Sequence, residues 1–295
     1  MRPILRAHTS SADRHGFSPR IADTSATVVF WMGRSLYVHV PPTGAREPGA
    51  LAVIFHALRN LKNRLPGGDW LSPAYGSFAA SKVDGTRAAV NLAKIFVYVS
   101  VFWALFDQHS STWVLQAKEM DLNLWGMKLE ASQIAALNPI MVMGLIPLFS
   151  LWIYPRLEKA GVSMVPLKRI TYGMFVAAVA FASVAVYQHF LDAGVKLSVG
   201  WHLFPFLTLT AAEVMISITG LEFAYTQAPR EMKSTIMSLW HLTVFGGNML
   251  TAYIAKINVF EGASFFWFFT VLMLVFAVLF AWAAGRFRAA DQMQG

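Results

Sequence analysis

The sequence predicts an all-α integral membrane protein built around a bundle of six transmembrane helices. Three observations carry this reading. The chain is 56% hydrophobic and only 14% charged, with a mean hydropathy of +0.49, whereas soluble domains carry about 25% charged residues. Six apolar runs are long enough to cross a bilayer. The basic residues between those runs alternate from one side to the other.

A membrane helix needs about 20 apolar residues. Runs at 88–107, 134–154, 170–190, 201–225, 234–255 and 263–284 meet that length. The last includes "FFWFFTVLMLVFAVLFAWAAG" (265–285), which holds no charge. Helices buried in a large soluble core are the competing explanation, and six such runs joined by short loops argue against it. If residues 34–87 are cytoplasmic, the cytoplasmic side collects Arg34, Arg46, Arg59, Lys62, Arg64, Lys82 and Arg87. It also gains Arg156, Lys159, Lys168 and Arg169, then Arg230 and Lys233, then Arg286 and Arg288. The opposite side holds Lys118, Lys128, Lys196 and Lys256. Cytoplasmic loops are enriched in Lys and Arg, so the net charge of +8 is a topology signal and argues against nucleic acid as a partner. Both termini of the bundle are expected inside the cell. The chain has no cysteine, which excludes disulfides and thiolate metal sites.

The segments before the bundle read differently. Residues 1–20, "MRPILRAHTSSADRHGFSPR", are polar and lack the apolar core of a signal peptide. Residues 21–33 contain "ATVVFWM", apolar but too short to span, and read either as the last turns of a truncated helix or as a small anchor on a polar tail. Residues 34–87 read as a cytoplasmic linker. Within it, "LAVIFHALRNLKNRL" (51–65) places Leu51, Ile54, Phe55, Leu58, Leu61 and Leu65 on one helical face, either a membrane-surface helix or a plain linker helix. The six-helix unit occupies 88–288, and 289–295 form a cytoplasmic tail.

Ionisable residues within spans are costly and are candidates for function. Glu213 lies midway along 201–225, near the bilayer midplane. Such a carboxylate is either protonated and hydrogen-bonded to a neighbouring helix, or paired with a cation from outside these spans. Ser217 follows one turn later on the same face. Asp107 ends the first span at its outer edge, on the face of Trp103, either as a solvated residue beside an interfacial tryptophan or as half of a gate. Asn138 lies in the outer third of the second span, and Trp240 about two turns into the fifth, as packing or as ligand contact. Lys94 is shallow enough to snorkel to the inner surface. No HExxH, GxSxG, paired intramembrane aspartates or phosphate-binding glycine loop is present, so no enzyme class, catalytic residue or metal site is indicated.

Two long motifs connect these residues to a family. "FWALFDQHSSTWVLQA" (102–117) resembles the seventh-helix motif of the proton-dependent oligopeptide transporters, within the major facilitator superfamily. "TGLEFAYTQAPREMKS" (219–234) is similar to that family's late signature between helices ten and eleven. "FWMGRSLYVHVPP" (30–42) looks like the end of its sixth helix, and "NPIMVMGLIP" (138–147) with "IYP" (153–155) fits its eighth. The resemblance covers about 22–288. It implies a six-helix C-terminal bundle of a major facilitator superfamily transporter plus the stub of the preceding helix. It further implies a di-/tripeptide symporter that needs no bound cofactor and uses protons as its coupling ion. The residue at Asp107 would close the outer gate with a basic residue of the N-terminal bundle. Glu213 would hold the peptide ammonium or a lysine of that bundle, and Trp103, Asn138 and Trp240 would line the pocket. His109 stands where the family has glutamine, as a hydrogen-bonding substitute or a titrating group at the outer mouth. On this resemblance the chain lacks the first five helices and their proton-coupling glutamates. It is expected to be inactive alone, with residues 1–20 non-native. A half that pairs with a separate N-terminal half, and a non-transporting membrane interaction protein, are the alternatives.

Overall fold

The computed structural model describes residues 27–36, 49–64, 67–124, 126–229, 232–257 and 259–287. The chain divides into two compact units, 1–47 and 48–295. The expectations for 1–20 and 289–295 lie outside the described residues. In the first unit, residues 27–32 are helical and tighten into a 3-10 turn, Gly33–Leu36. The Arg34 guanidinium lies 4.6 Å from the Trp31 ring centre.

The second unit begins with α1, Ala50–Arg59. Val53 and Ala57 of α1 are buried, in a small cluster with Leu71, Ala74 and Val83. Leu51, Phe55, Leu58 and Leu61 are exposed, and Leu65 is outside the described residues. Small side chains let α1 approach its neighbours closely, which turns the bulky row outward.

α2, Ala80–Phe106, starts upstream of the apolar run at 88. A helix does not end where hydrocarbon does, and Arg87 anchors this extension. Arg87 Nε and Nη2 donate to the two Asp69 carboxylate oxygens at 2.7 and 3.0 Å. Its Nη1 donates to Asp84 Oδ1 at 2.6 Å and to the Tyr75 hydroxyl at 2.9 Å. That bidentate bond holds the Asp69 carboxyl below the usual carboxylate range. After a 3-10 turn at Asp107–Ser110, the span resumes as α3, Thr112–Glu119. A two-residue hairpin pairs Asn123–Leu124 with Met127–Lys128.

The second span is broken into α4 (Ala131–Ala135), α5 (Asn138–Leu148) and α6 (Tyr154–Lys159). A π turn, Phe149–Ile153, separates the last two. Pro155 explains the break, because its ring and missing N–H disturb the preceding turn of an α-helix. α7 is Pro166–Asp192. The fourth span is α8 (Leu203–Glu213), a π turn (Val214–Ile218) and α9 (Thr219–Gln227). α10 is Lys233–Ile257 and α11 is Ala263–Arg286.

Among the described residues, five segments are long and apolar enough to cross a membrane: Ala80–Glu119, Ala131–Lys159, Pro166–Asp192, Val199–Gln227 and Ala263–Arg286. α10 has 25 residues, ample length at 1.5 Å each. It is less apolar because Trp240, His241, Gly246, Gly247 and Asn248 interrupt it. Its partner explains the glycines: α10 packs along α2, and a Cβ on Gly247 would meet the backbone oxygen of Ser100 and sit 2.7 Å from the backbone nitrogen of Ala104. α11 packs most extensively on α7, and α7 on α8. Aromatic rings fill the centre, with Trp113, Trp240, Phe96, Phe102, Phe181, Phe269 and Phe280 fully buried.

Candidate functional site

The site is built where two spans depart from regular helix. Glu213 is the last residue of α8, and the π turn Val214–Ile218 follows it directly. Single π turns recur at functional sites because they re-aim the side chains beside them. α7 reaches this turn closely at Gly173, where a Cβ would lie 2.7 Å from Ile216 and 2.9 Å from Met215. Asn138 opens α5 and is followed by Pro139 at the first helical turn, where the missing N–H costs nothing. Its Nδ2 donates to Glu213 Oε2 at 3.2 Å, so residues 75 apart in sequence meet across two spans. The Asn138 carbonyl oxygen is buried and accepts no hydrogen bond among the described residues.

Asp107 forms the first residue of the 3-10 turn that ends α2. This turn lies inside a 40-residue apolar helical segment, Ala80–Glu119, so the helix continues past the residue at which the apolar run ends. Trp103, one turn earlier, packs edge-to-face on Phe106 at 5.7 Å, and its buried Nε1 has no acceptor among the described residues. Trp240 is 1% exposed. It meets Phe96 edge-to-face at 5.2 Å and Trp103 at 6.4 Å, and its ring fills the space that a side chain on Gly220 would need. In this conformation Trp240 joins α2, α9 and α10 as packing.

His109 stays local. Its Nδ1 bonds the Phe106 carbonyl oxygen, which makes Nδ1 the donor. The ring lies against Phe106 at 4.7 Å and meets Phe206 edge-to-face at 6.0 Å. Ser217 is half-buried within the π turn.

Sequence reasoning missed a second polar group. His202 is fully buried, and its Nε2 donates to Gln116 Oε1 at 2.7 Å. Gln116 Nε2 donates to the Val184 carbonyl at 3.1 Å and to Gln188 Oε1 at 2.8 Å. Gln188 Nε2 continues to Glu119 Oε2 at 3.2 Å and Asp192 Oδ1 at 2.9 Å. Asp192 Oδ2 accepts the backbone N–H of Ala263 at 3.0 Å. This chain of amides ties α3, α7, α8 and the start of α11 together. Buried polar side chains within apolar runs are the sequence signal, but nothing in a one-dimensional pattern pairs them.

Among the described residues, no group of three or more His, Cys, Asp or Glu side chains is placed to hold a metal ion. The Asn138–Glu213 pair places an amide and a carboxylate together between two spans, in a bundle whose interior is filled by aromatic rings. An ionisable group inside a membrane bundle is a candidate for function.

The chain belongs to the POT family, whose model matches residues 19–268. Peptide transporter 3 of Caenorhabditis elegans is 34% identical over 197 residues, which are 63% of this chain and 28% of that protein. A crystal structure of an auto-inhibited POT family peptide transporter shares 34% identity and a TM-score of 0.73, covering 93% of this chain and 64% of that one. The POT family transporter PepTSo shares 31% identity and a TM-score of 0.76 over 93% of this chain and 64% of its own. The fold is that of the six-helix C-terminal bundle of a major facilitator superfamily transporter.

Proposed function

We propose that this bundle is one half of a proton-coupled di-/tripeptide symporter and is inactive without a six-helix N-terminal partner bundle. The observation that carries this reading is the hydrogen bond from Asn138 to Glu213 across two spans, with no ion pair at Glu213 or at Asp107 among the described residues. A carboxylate inside a bilayer is tolerated when it holds a proton or a cation pairs with it. A peptide ammonium or a lysine of the partner bundle supplies that cation at Glu213. A basic residue of the partner supplies it at Asp107, closing the outer gate. Trp103, Asn138, Trp240, His109 and Ser217 shape the pocket around the peptide. Alternating access requires two bundles rocking about one site, and this chain supplies one.

The test is reconstitution of the purified 295-residue chain into liposomes, with an inward proton gradient and a labelled dipeptide. The expected result is no accumulation by the chain alone and accumulation when it is co-reconstituted with helices one to six of a relative. Proton-driven uptake by the chain alone overturns the reading.

The orientation has its own test. Residues 34–87, 156–169 and 226–233 are placed on the cytoplasmic side by their lysines and arginines. The chain has no native cysteine, so Lys62→Cys gives a single reporter. It should stay unlabelled by an impermeant thiol reagent on intact cells and become labelled after permeabilisation. Labelling on intact cells reverses the topology.

A further inference from the structure

We infer that the groove between α2 and α11 binds an anionic phospholipid through its headgroup phosphate, clamped by Lys94 and Arg286. The groove has a volume of about 670 Å³ and is lined by Asn91, Lys94, Tyr98, Trp282, Arg286 and Phe287, among others. None of Glu213, Asn138, Asp107, Trp103 and Trp240 lines it.

Charge identifies the head. Two cations line the groove and no Asp or Glu does. Lys94 Nζ donates to Asn91 Oδ1 at 3.2 Å, a neutral partner on its own helix. The Arg286 guanidinium stacks on Trp282, 3.8 Å from the ring centre, which orients it without neutralising it. Two cations lining one groove repel each other unless an anion comes between them. A phosphate accepts hydrogen bonds from a guanidinium fork and from an ammonium.

The walls identify the tail. On α11 the exposed residues Val271, Val275, Val278 and Trp282 recur at helical spacing, so an apolar row runs along the helix and ends at the groove. Val97 of α2 is 58% exposed beside it. Tyr98 and Trp282 line the groove together with the two cations, and such amphipathic rings settle at the interfacial level of a bilayer. The occupant therefore has an anionic head and an apolar body. Lys94 is also accounted for, since a lysine this far along a spanning helix gains a counter-ion rather than only reaching for water. The basic ends of α2 and α11 lie on the side that the overall lysine and arginine distribution makes cytoplasmic, where anionic lipids attract them. The inference uses that orientation but not the transport reading.

The test measures lipid affinity for the purified chain in neutral detergent, by native mass spectrometry, with phosphatidylglycerol against phosphatidylcholine. Wild type should favour phosphatidylglycerol. Lys94→Gln or Arg286→Gln should each weaken that preference about fivefold, and the double variant about 25-fold. Inorganic phosphate at the same concentration should not compete. Equal affinity for both lipids, or a double variant that binds like wild type, overturns the inference. Competition by inorganic phosphate reassigns the groove to a free anion. If the double variant does not purify, Lys94→Gln decides alone, because it gives up only one intrahelical contact. Peptide uptake plays no part in the measurement, so failure here leaves the proposed function standing, and the reverse.

Discussion

Glu213→Gln, introduced into the chain co-expressed with a relative's N-terminal bundle, should lower dipeptide affinity tenfold to a hundredfold. The substitution keeps the shape of the side chain, and its amide oxygen still accepts from Asn138 Nδ2, which bonds Glu213 Oε2 in the native chain. Only the charge is lost. A hydrogen bond to a charged group contributes about 1.5–3 kcal/mol, and about 1.4 kcal/mol corresponds to tenfold in affinity. Fold damage would be a competing explanation for lost uptake, so competition binding should be read beside the yield of folded protein. The variant also removes an ionisable group from the interior of the bundle, which argues against a stability loss. Affinity equal to wild type across a series of dipeptides would remove Glu213 from the binding site.

The second large effect is on folding. Gly247→Ala should destabilise the bundle by about 1–3 kcal/mol, the usual cost of overpacking, even though alanine favours helix over glycine by up to about 1 kcal/mol. The added Cβ would collide with the Ser100 backbone oxygen and lie 2.7 Å from the Ala104 nitrogen and 2.8 Å from the Trp103 Cβ. Backbone atoms cannot swing aside as a flexible side chain does, so α10 must move off α2. The hydrogen bond from Thr251 Oγ1 to the Ala104 carbonyl, 2.9 Å across the same seam, would lengthen as well. Gly246 provides the control next door. Its Cβ would meet only Ser100 Oγ, at an ordinary 3.5 Å, so Gly246→Ala should leave the Tm unchanged or raise it. Thermal unfolding in detergent should show a lowered Tm for Gly247→Ala and not for Gly246→Ala. Equal Tm values would mean that the helices are not in close contact at residue 247.

The apolar runs disclosed the spans because hydrocarbon thickness fixes a minimum length, and all six predicted segments lie within helical stretches. What they could not disclose is where helix continues into water, as at Ala80, or where it changes pitch within the bilayer. Pro155 gives a hint of one π turn, while the turn after Glu213 has no comparable marker in sequence. α1 shows another limit: periodicity finds the bulky face, which is exposed at Leu51, Phe55 and Leu58, but not the packing of Val53 and Ala57 against Leu71, Ala74 and Val83. Glu213 and Asn138 are singled out separately, one for its charge at the midplane and one for its place in the outer third of the second span, and their contact emerges only in three dimensions. The Gln116–His202 bond escaped for the same reason. It joins residues 86 apart, and glutamine in an apolar run draws less notice than a carboxylate.

The 3-10 turn at Asp107–Ser110 has a mechanical consequence. Below it, α2 is seated on α10 through Gly247. Above it, α3 is bolted to other neighbours, with Trp113 wedged against Phe181 of α7 and Phe206 of α8 and Gln116 bonded to α7 and His202. One span thus has two mountings, and the short turn is the joint between them. The packing partners of the span change across that joint, and Asp107 is its first residue.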